Sequence, residues 1–228
     1  MKISNFLFVL FLILIVSCGP KPPQKAAKKE EKKQQTSTGS GSEFDQVIIA
    51  SSSKEEKGQP LIATILNRVV GGAEGAFIGN KMDQLANQLE RKFPGADVSR
   101  IGEGVLMKLD KQSDFYFKNE NTQLSDKQID QLKKLSQILS IYKETKIHLV
   151  NHTYKSSSIQ KNQQLARKRG ENIAMQMKEY QNMAGRIILN WHGHVQPSGN
   201  TDSNQRLEIG IIAGKEMLSS ARKNISKK

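Results

Sequence analysis

The alternation of apolar and polar positions is clearest in the second half of the chain. Val105, Met107 and Leu109 fall at every second position, the period of a strand with one buried face. Phe115, Tyr116 and Phe117 form a further apolar patch ahead of a loop. At Ser125 the period changes. The run "SDKQ" pairs Ser125 with Gln128 three residues on, a capping box, and Leu124 and Ile129 are spaced to form a hydrophobic staple around it. Leu132, Leu135, Leu139 and Tyr142 follow at intervals of three and four, which makes one helix face apolar. "KIHLV" predicts a strand with Ile147 and Leu149 on one side. Roughly Ser158 to Tyr180 predicts a second helix, with Ala166, Gly170, Ile173, Ala174 and Met177 on one face. "RIILNWHG" and "RLEIGII" predict the last two strands, Leu207, Ile209 and Ile211 alternating inward. The order β-α-β-α-β-β implies an α+β domain over residues 99–214, a two-layer sandwich with helices on one sheet face. Residues 215–228 read as a basic C-terminal tail.

Upstream the pattern is weaker. Within residues 43–98, Gly71, Gly75 and Gly79 recur every four residues. On a helix they would line one face and permit close backbone approach; a flexible turn is the alternative. Asn67, Arg68 and Glu74 interrupt the apolar face, which argues against a membrane-spanning helix. From Asp83 to Phe93 a short amphipathic helix is expected, with Leu85, Leu89 and Phe93 four residues apart and "FPGAD" ending it. Before this Gly-rich helical segment, Gly19 to Ser42 combines prolines, a Lys/Glu block and a Ser/Gly tail without apolar periodicity, the composition of a flexible linker. Fully extended, its residues would span up to roughly 80 Å.

The N-terminus reads as an export signal. Lys2 precedes an unbroken apolar run from Phe6 to Val16, too short for a confident membrane span, and Ser17 and Cys18 close it. Cys18 is the single cysteine of the chain, so an intramolecular disulfide is excluded. "IVSC" resembles the lipobox of bacterial lipoproteins. That resemblance implies a signal peptide of residues 1–17, removed in the mature chain. It also implies a diacylglycerol thioether on Cys18 and an acyl group such as palmitate on its amine. Several acyl chains at about 0.8 kcal/mol per buried CH2 give a stable anchor.

Charge narrows the partners. The chain carries a formal net charge of +13, and loss of Lys2 with an acid-free signal leaves +12. In a cytosolic protein this balance would point first to nucleic acid; behind an export signal it points to anionic lipid headgroups and the carboxylate-bearing cell wall. Nucleic acid is therefore not expected as a partner.

Residues from about Val105 to Ile212 resemble the OmpA-like peptidoglycan-binding domain. "FYFKNENTQLS" stands for the start of its first helix, and "NHTY" for Gly-His-Thr-Asp. "NQQLARKRGENI" stands for Asn-x-x-Leu-Ser-x-x-Arg-Ala-x-x-Val, "WHGHVQP" for Gly-Tyr-Gly-Glu-x-x-Pro, and "NQRLEI" for Asn-Arg-Arg-Val-Glu-Ile. The glycine segment "GGAEGAFIGNKMDQL" is similar to the one that precedes this domain in many outer-membrane lipoproteins of the family. The resemblance implies an outer-membrane lipoprotein that faces the periplasm and binds peptidoglycan through the zwitterionic end of diaminopimelate, with other envelope proteins as further partners. Arg169 matches the family arginine, on the first turns of the second helix, and would grip the stem-peptide carboxylate with a bidentate fork. Asn162 and Thr153 would orient the backbone. The family aspartate falls on Tyr154, and residues 151–170 contain no Asp or Glu. Loss of a hydrogen bond to a charged group weakens binding by about one to two orders of magnitude. Two readings follow: peptidoglycan binding with Tyr154 packing on the ligand, or an OmpA-like structural and assembly module that has lost diaminopimelate binding.

Catalysis has little support. His192 and His194 sit at i and i+2 of a predicted strand and could place two rings on one face, but no clustered cysteine or carboxylate accompanies them. His148 and His152 share a strand face and are expected to be packed or solvent-facing. No Ser-His-Asp order and no phosphate-binding glycine loop occurs, so no enzyme, cofactor or metal is inferred.

Overall fold

The computed structural model describes residues 48–49, 61–66, 69–118, 120–153, 158–180, 182–193 and 205–227. The signal segment, Cys18, the linker, Tyr154 and His194 lie outside the described residues. The elements in chain order are β1 (Ile48–Ile49), α1 (Leu61–Leu66), α2 (Gly72–Lys92), β2 (Asp97–Ile101), β3 (Gly104–Leu109) and α3 (Asp126–Ile141). They continue with β4 (Thr145–His152), α4 (Ile159–Lys178), β5 (Ile187–His192), β6 (Arg206–Ala213) and α5 (Lys215–Ile225). The expected β-α-β-α-β-β series is β3 to β6.

The six strands form one sheet in the order β1-β5-β4-β6-β3-β2. β4 pairs with β5 in parallel and with β6 antiparallel, so the α4 crossover returns the chain to the adjacent strand. Register explains the alternation in the sequence. Ile187, Ile147, Ile211 and Val105 lie in one cross-strand row, and Leu189, Leu149, Ile209 and Met107 in the next. All eight are fully buried. Against them pack Ile78, Met82 and Leu85 of α2, Leu132 and Leu135 of α3, and Ile173 and Met177 of α4. Each such side chain contributes about 1.5–3 kcal/mol by leaving water.

The capping box at α3 is present. Ser125 Oγ accepts from the Gln128 backbone N–H, and Gln128 Oε1 accepts from the Ser125 N–H at 2.9 Å. Ser158 caps α4 by accepting from the Lys161 N–H at 3.3 Å.

Three features go beyond the sequence expectation. β2 adds a hairpin strand to the edge of β3; its residues are only partly buried, so its sequence carries no clean alternation. α2 extends the expected Asp83–Phe93 helix back through the glycine segment. There the Glu103 carboxylate, in the β2–β3 turn, accepts from the backbone N–H groups of Val70 and Gly71 at 2.9 and 2.8 Å. A Cβ on Gly75 would stand 2.1 Å from Glu103 Oε1, so glycine there makes room for the carboxylate. Finally, residues 215–225 form α5, whose Met217 and Ala221 are buried in the core beside α2.

One helix lies on the opposite face. Ile62 and Leu66 of α1 pack over Leu106 and Val150. Gly104 and Gly210 create the space, since a Cβ on either would come within 3 Å of Leu66 or Ile62 side-chain atoms. No helix among the described residues is long and apolar enough to cross a membrane.

Candidate functional site

Two segments meet at one end of the sheet: the loop of residues 117–122 and the face of α4 that looks toward it. The loop is anchored from its start. Phe115 and Phe117 are buried and meet edge to face at 6.4 Å between centroids. Gln131 donates to the Ser113 carbonyl and Gln128 to the Tyr116 carbonyl, so the first turns of α3 hold the approach.

Two α4 side chains hold the far end of the loop. Arg169 Nε donates to the Asn121 carbonyl at 2.8 Å, and Asn172 Nδ2 donates to the Thr122 carbonyl at 2.8 Å. The Arg169 guanidinium also lies 4.6 Å above the Phe117 ring. At 1% exposure Arg169 is among the most buried large side chains. Burial lowers its pKa to about 10, which leaves it a cation at neutral pH. It sits in the third turn of α4, deeper than the first turns the sequence suggested. Its depth follows from spacing: Asn162, Ala166, Arg169, Gly170 and Ile173 share the inward stripe.

Thr153 and Asn162 are brought together. Thr153 Oγ1 donates to the Asn162 carbonyl at 3.1 Å, and both side chains are buried. Asn151 supports them by donating to the Ala166 carbonyl at 2.9 Å, which seats the end of β4 under α4. Arg169 stands two turns further along, about 10 Å by helix rise. Between residues 120–122 and α4 a cleft of 220 Å³ is lined by Glu120, Thr122, Lys161, Asn162, Leu165 and Lys168, among others. Of these only Asn162 was expected. Glu120 belongs to a loop more than thirty residues upstream of Tyr154 and carries no motif of its own.

A second polar group lies on the opposite sheet face. Glu208, 3% exposed, accepts from Arg206 Nε at 2.7 Å and stands 3.2 Å from His152 Nε2. The His152 and His192 rings stack at 5.3 Å. His148 and His152 are therefore packed rather than solvent-facing. Among the described residues no cluster of three or more His, Cys, Asp or Glu is placed to hold a metal. Burial pushes the Glu208 pKa up, but the hydrogen bonds and charges of His152 and Arg206 outweigh it and hold the carboxyl at about 2, below the ordinary 4.5. The stabilisation is present above about pH 4.5 and is lost as pH falls toward 2, by up to about 3 kcal/mol. Urea midpoints measured from pH 5 to pH 2 should fall steeply for the parent, and the Glu208→Gln variant should lose part of that slope. An equal slope in both would show that Glu208 does not carry this dependence.

Residues 116–208 match the OmpA family. A search of curated proteins gave no match. Among solved structures, a putative MotB-like protein from Desulfovibrio vulgaris is 13% identical, the match covering 61% of this chain and 98% of that one with a TM-score of 0.50. The cell wall anchor of the T6SS from Pseudomonas aeruginosa is 14% identical over 58% of this chain and 96% of that one, at 0.47. The periplasmic domain of Helicobacter pylori MotB is 16% identical over 58% and 91%, at 0.46. The likeness to the OmpA family falls on residues 116–208, which hold α3, β4, α4, β5 and the start of β6.

Proposed function

We propose that this chain binds peptidoglycan non-covalently and, through lipid on Cys18, tethers the outer membrane to the cell wall from the periplasmic side. The observation that carries the reading is buried Arg169 holding the Asn121 carbonyl of loop 117–122, with buried Thr153 and Asn162 bonded to each other two turns away, inside the segment that matches the OmpA family. Arg169 is a cation already taken out of water and fixed by Phe117 and Asn121. A stem-peptide carboxylate that enters between the loop and α4 gains a charge-assisted bond without further ordering of the arginine. Thr153 and Asn162 set the backbone of the site, and Tyr154 packs on the ligand. The Lys-rich linker then lets the domain reach from the membrane to the wall.

The test is sedimentation of the full chain with purified diaminopimelate-type sacculi. The parent pellets with sacculi, Arg169→Ala binds about 10–100-fold more weakly, and Tyr154→Asp binds more tightly. Arg169→Lys controls for folding: it keeps the charge, and its thermal midpoint shows whether the loop is still held. A parent that stays in the supernatant, or one that salt alone releases while Arg169→Ala changes nothing, would favour an assembly module without wall affinity.

A further inference from the structure

The end of the domain remote from Thr153 and Asn162 carries a charge pattern that wall binding does not use. From Met217 to Lys228 the sequence holds Arg222, Lys223, Lys227 and Lys228 and no acid. Most of this stretch is α5, which lies across the end of the sheet at which β4 begins. The Gly214 N–H donates to the Glu144 carbonyl at 2.8 Å, just before β4, and Arg222 reaches Glu74 in the first turn of α2 at 3.4 Å. α5 turns Met217 and Ala221 into the core and leaves Arg222, Lys223 and Lys227 exposed. Next to the start of α2 stand Val69 and Val70, 62% and 46% exposed, and α5 ends on Ile225, 37% exposed. Three of the five large aliphatic side chains left exposed among the described residues thus gather at one corner, beside a run of cations. The two acids nearby are already engaged, Glu74 by Arg222 and Glu103 by the N–H groups of Val70 and Gly71. Lys223 and Lys227 form no ion pair among the described residues.

Exposed aliphatic side chains set among cations suit a surface that offers anions and hydrocarbon together. An acidic wall polymer supplies only the first. An anionic phospholipid bilayer supplies both, headgroup charge for the lysines and the acyl boundary for Val69, Val70 and Ile225. Resting on the proposed membrane tether, which holds the domain near a bilayer, we infer that this corner docks on anionic phospholipid. Strand register then sets the orientation. The β2–β3 turn beside Val70 lies at the end of the sheet where Val105 pairs with Ile211 and Lys146 with Ile212, whereas Thr153 follows the opposite end of β4. Thr145–His152 spans about 25 Å. A docked domain therefore turns Thr153 and Asn162 away from the bilayer and toward the wall, so that it touches both surfaces at once.

The experiment uses the full chain, bound through its own N-terminus to vesicles of phosphatidylcholine alone or of a roughly three-to-one mixture with phosphatidylglycerol. Brief acylation of free amines, read by mass spectrometry, reports how accessible each lysine is. On the anionic vesicles Lys223 and Lys227 should react about tenfold more slowly than on the neutral ones, while Lys161 and Lys168 of α4 react equally on both. Val69→Asp places a carboxylate in the contact at an exposed position, so it should return Lys227 to its rate on neutral vesicles. Equal rates on both vesicles, slowing shared by Lys161 and Lys168, or slowing that survives Val69→Asp would each overturn the docking face while wall binding stands. A chain that sediments with neither vesicle would remove the membrane tether and the docking with it, and sacculus binding would be unaffected.

Discussion

Gly193→Ala should be among the most damaging single substitutions in this chain. A Cβ at this position would lie 2.0 Å from the Gln163 nitrogen and 2.3 Å from both the Asn162 carbonyl carbon and the Gln163 Cα. All three are backbone atoms of α4, so no side-chain rotation relieves the clash. β5 and α4 can separate only by shifting a helix that is also tied to β4 through Asn151 and Thr153. The requirement is close approach of two backbones rather than an unusual dihedral. Such overpacking costs about 3 kcal/mol, the upper end of the usual range because only backbone can move, and a large share of the stability of an ordinary domain. The urea midpoint of the variant should drop by about 1–2 M. Because the displaced residues include Asn162, sacculus binding should fall with it even under conditions where the fold survives. An unchanged midpoint would mean that α4 and β5 are less tightly seated than the structure has them.

The contrast between this glycine and the rest of the domain shows which information the sequence carries openly. The strands β3 to β6 and helices α3 and α4 announce themselves because each buries one face, so burial imposes a period of two or of three to four on the residues. The capping box at Ser125 is legible for a similar reason: both partners are local. β2 and α5 are different. β2 is an edge strand whose only full pairing is with β3, and α5 buries just Met217 and Ala221, so neither needs a long apolar stripe. The glycines at 71 and 75 resist reading because their cause is Glu103, a side chain about thirty residues away. The candidate site divides along the same line. Arg169, Asn162 and Thr153 lie within one β-loop-α stretch and match a motif read in order, whereas Glu120 enters the cleft from the preceding loop.

Arg186, which no motif singled out, should prove as important to stability as any apolar core residue. It is 7% exposed and stands just before β5. Its Nε donates to the Thr145 carbonyl at 2.9 Å. One terminal nitrogen donates to the carbonyls of Leu139 and Asn182, the other to the Tyr142 carbonyl and the Thr145 hydroxyl, at distances from 2.7 to 3.1 Å. Leu139 and Tyr142 belong to the end of α3, where the Leu139 carbonyl also accepts from the Tyr142 N–H and the Tyr142 carbonyl from the Thr145 N–H and hydroxyl. One guanidinium therefore closes the C-terminus of α3, fixes the start of β4 and ties down the turn before β5. Burial lowers its pKa to about 10, so the side chain remains charged at neutral pH and its bonds are charge-assisted. Arg186→Met keeps much of the volume but removes all five charge-assisted bonds and leaves the Leu139 and Tyr142 carbonyls only their local donors, at a cost of about 3–5 kcal/mol. Arg186→Lys should recover only part of this, because an ammonium has three donors and cannot span the fork. Denaturant titration of the three proteins should rank them parent, lysine, methionine, and a lysine variant as stable as the parent would show that charge rather than the fan of hydrogen bonds holds the α3–β4–β5 junction.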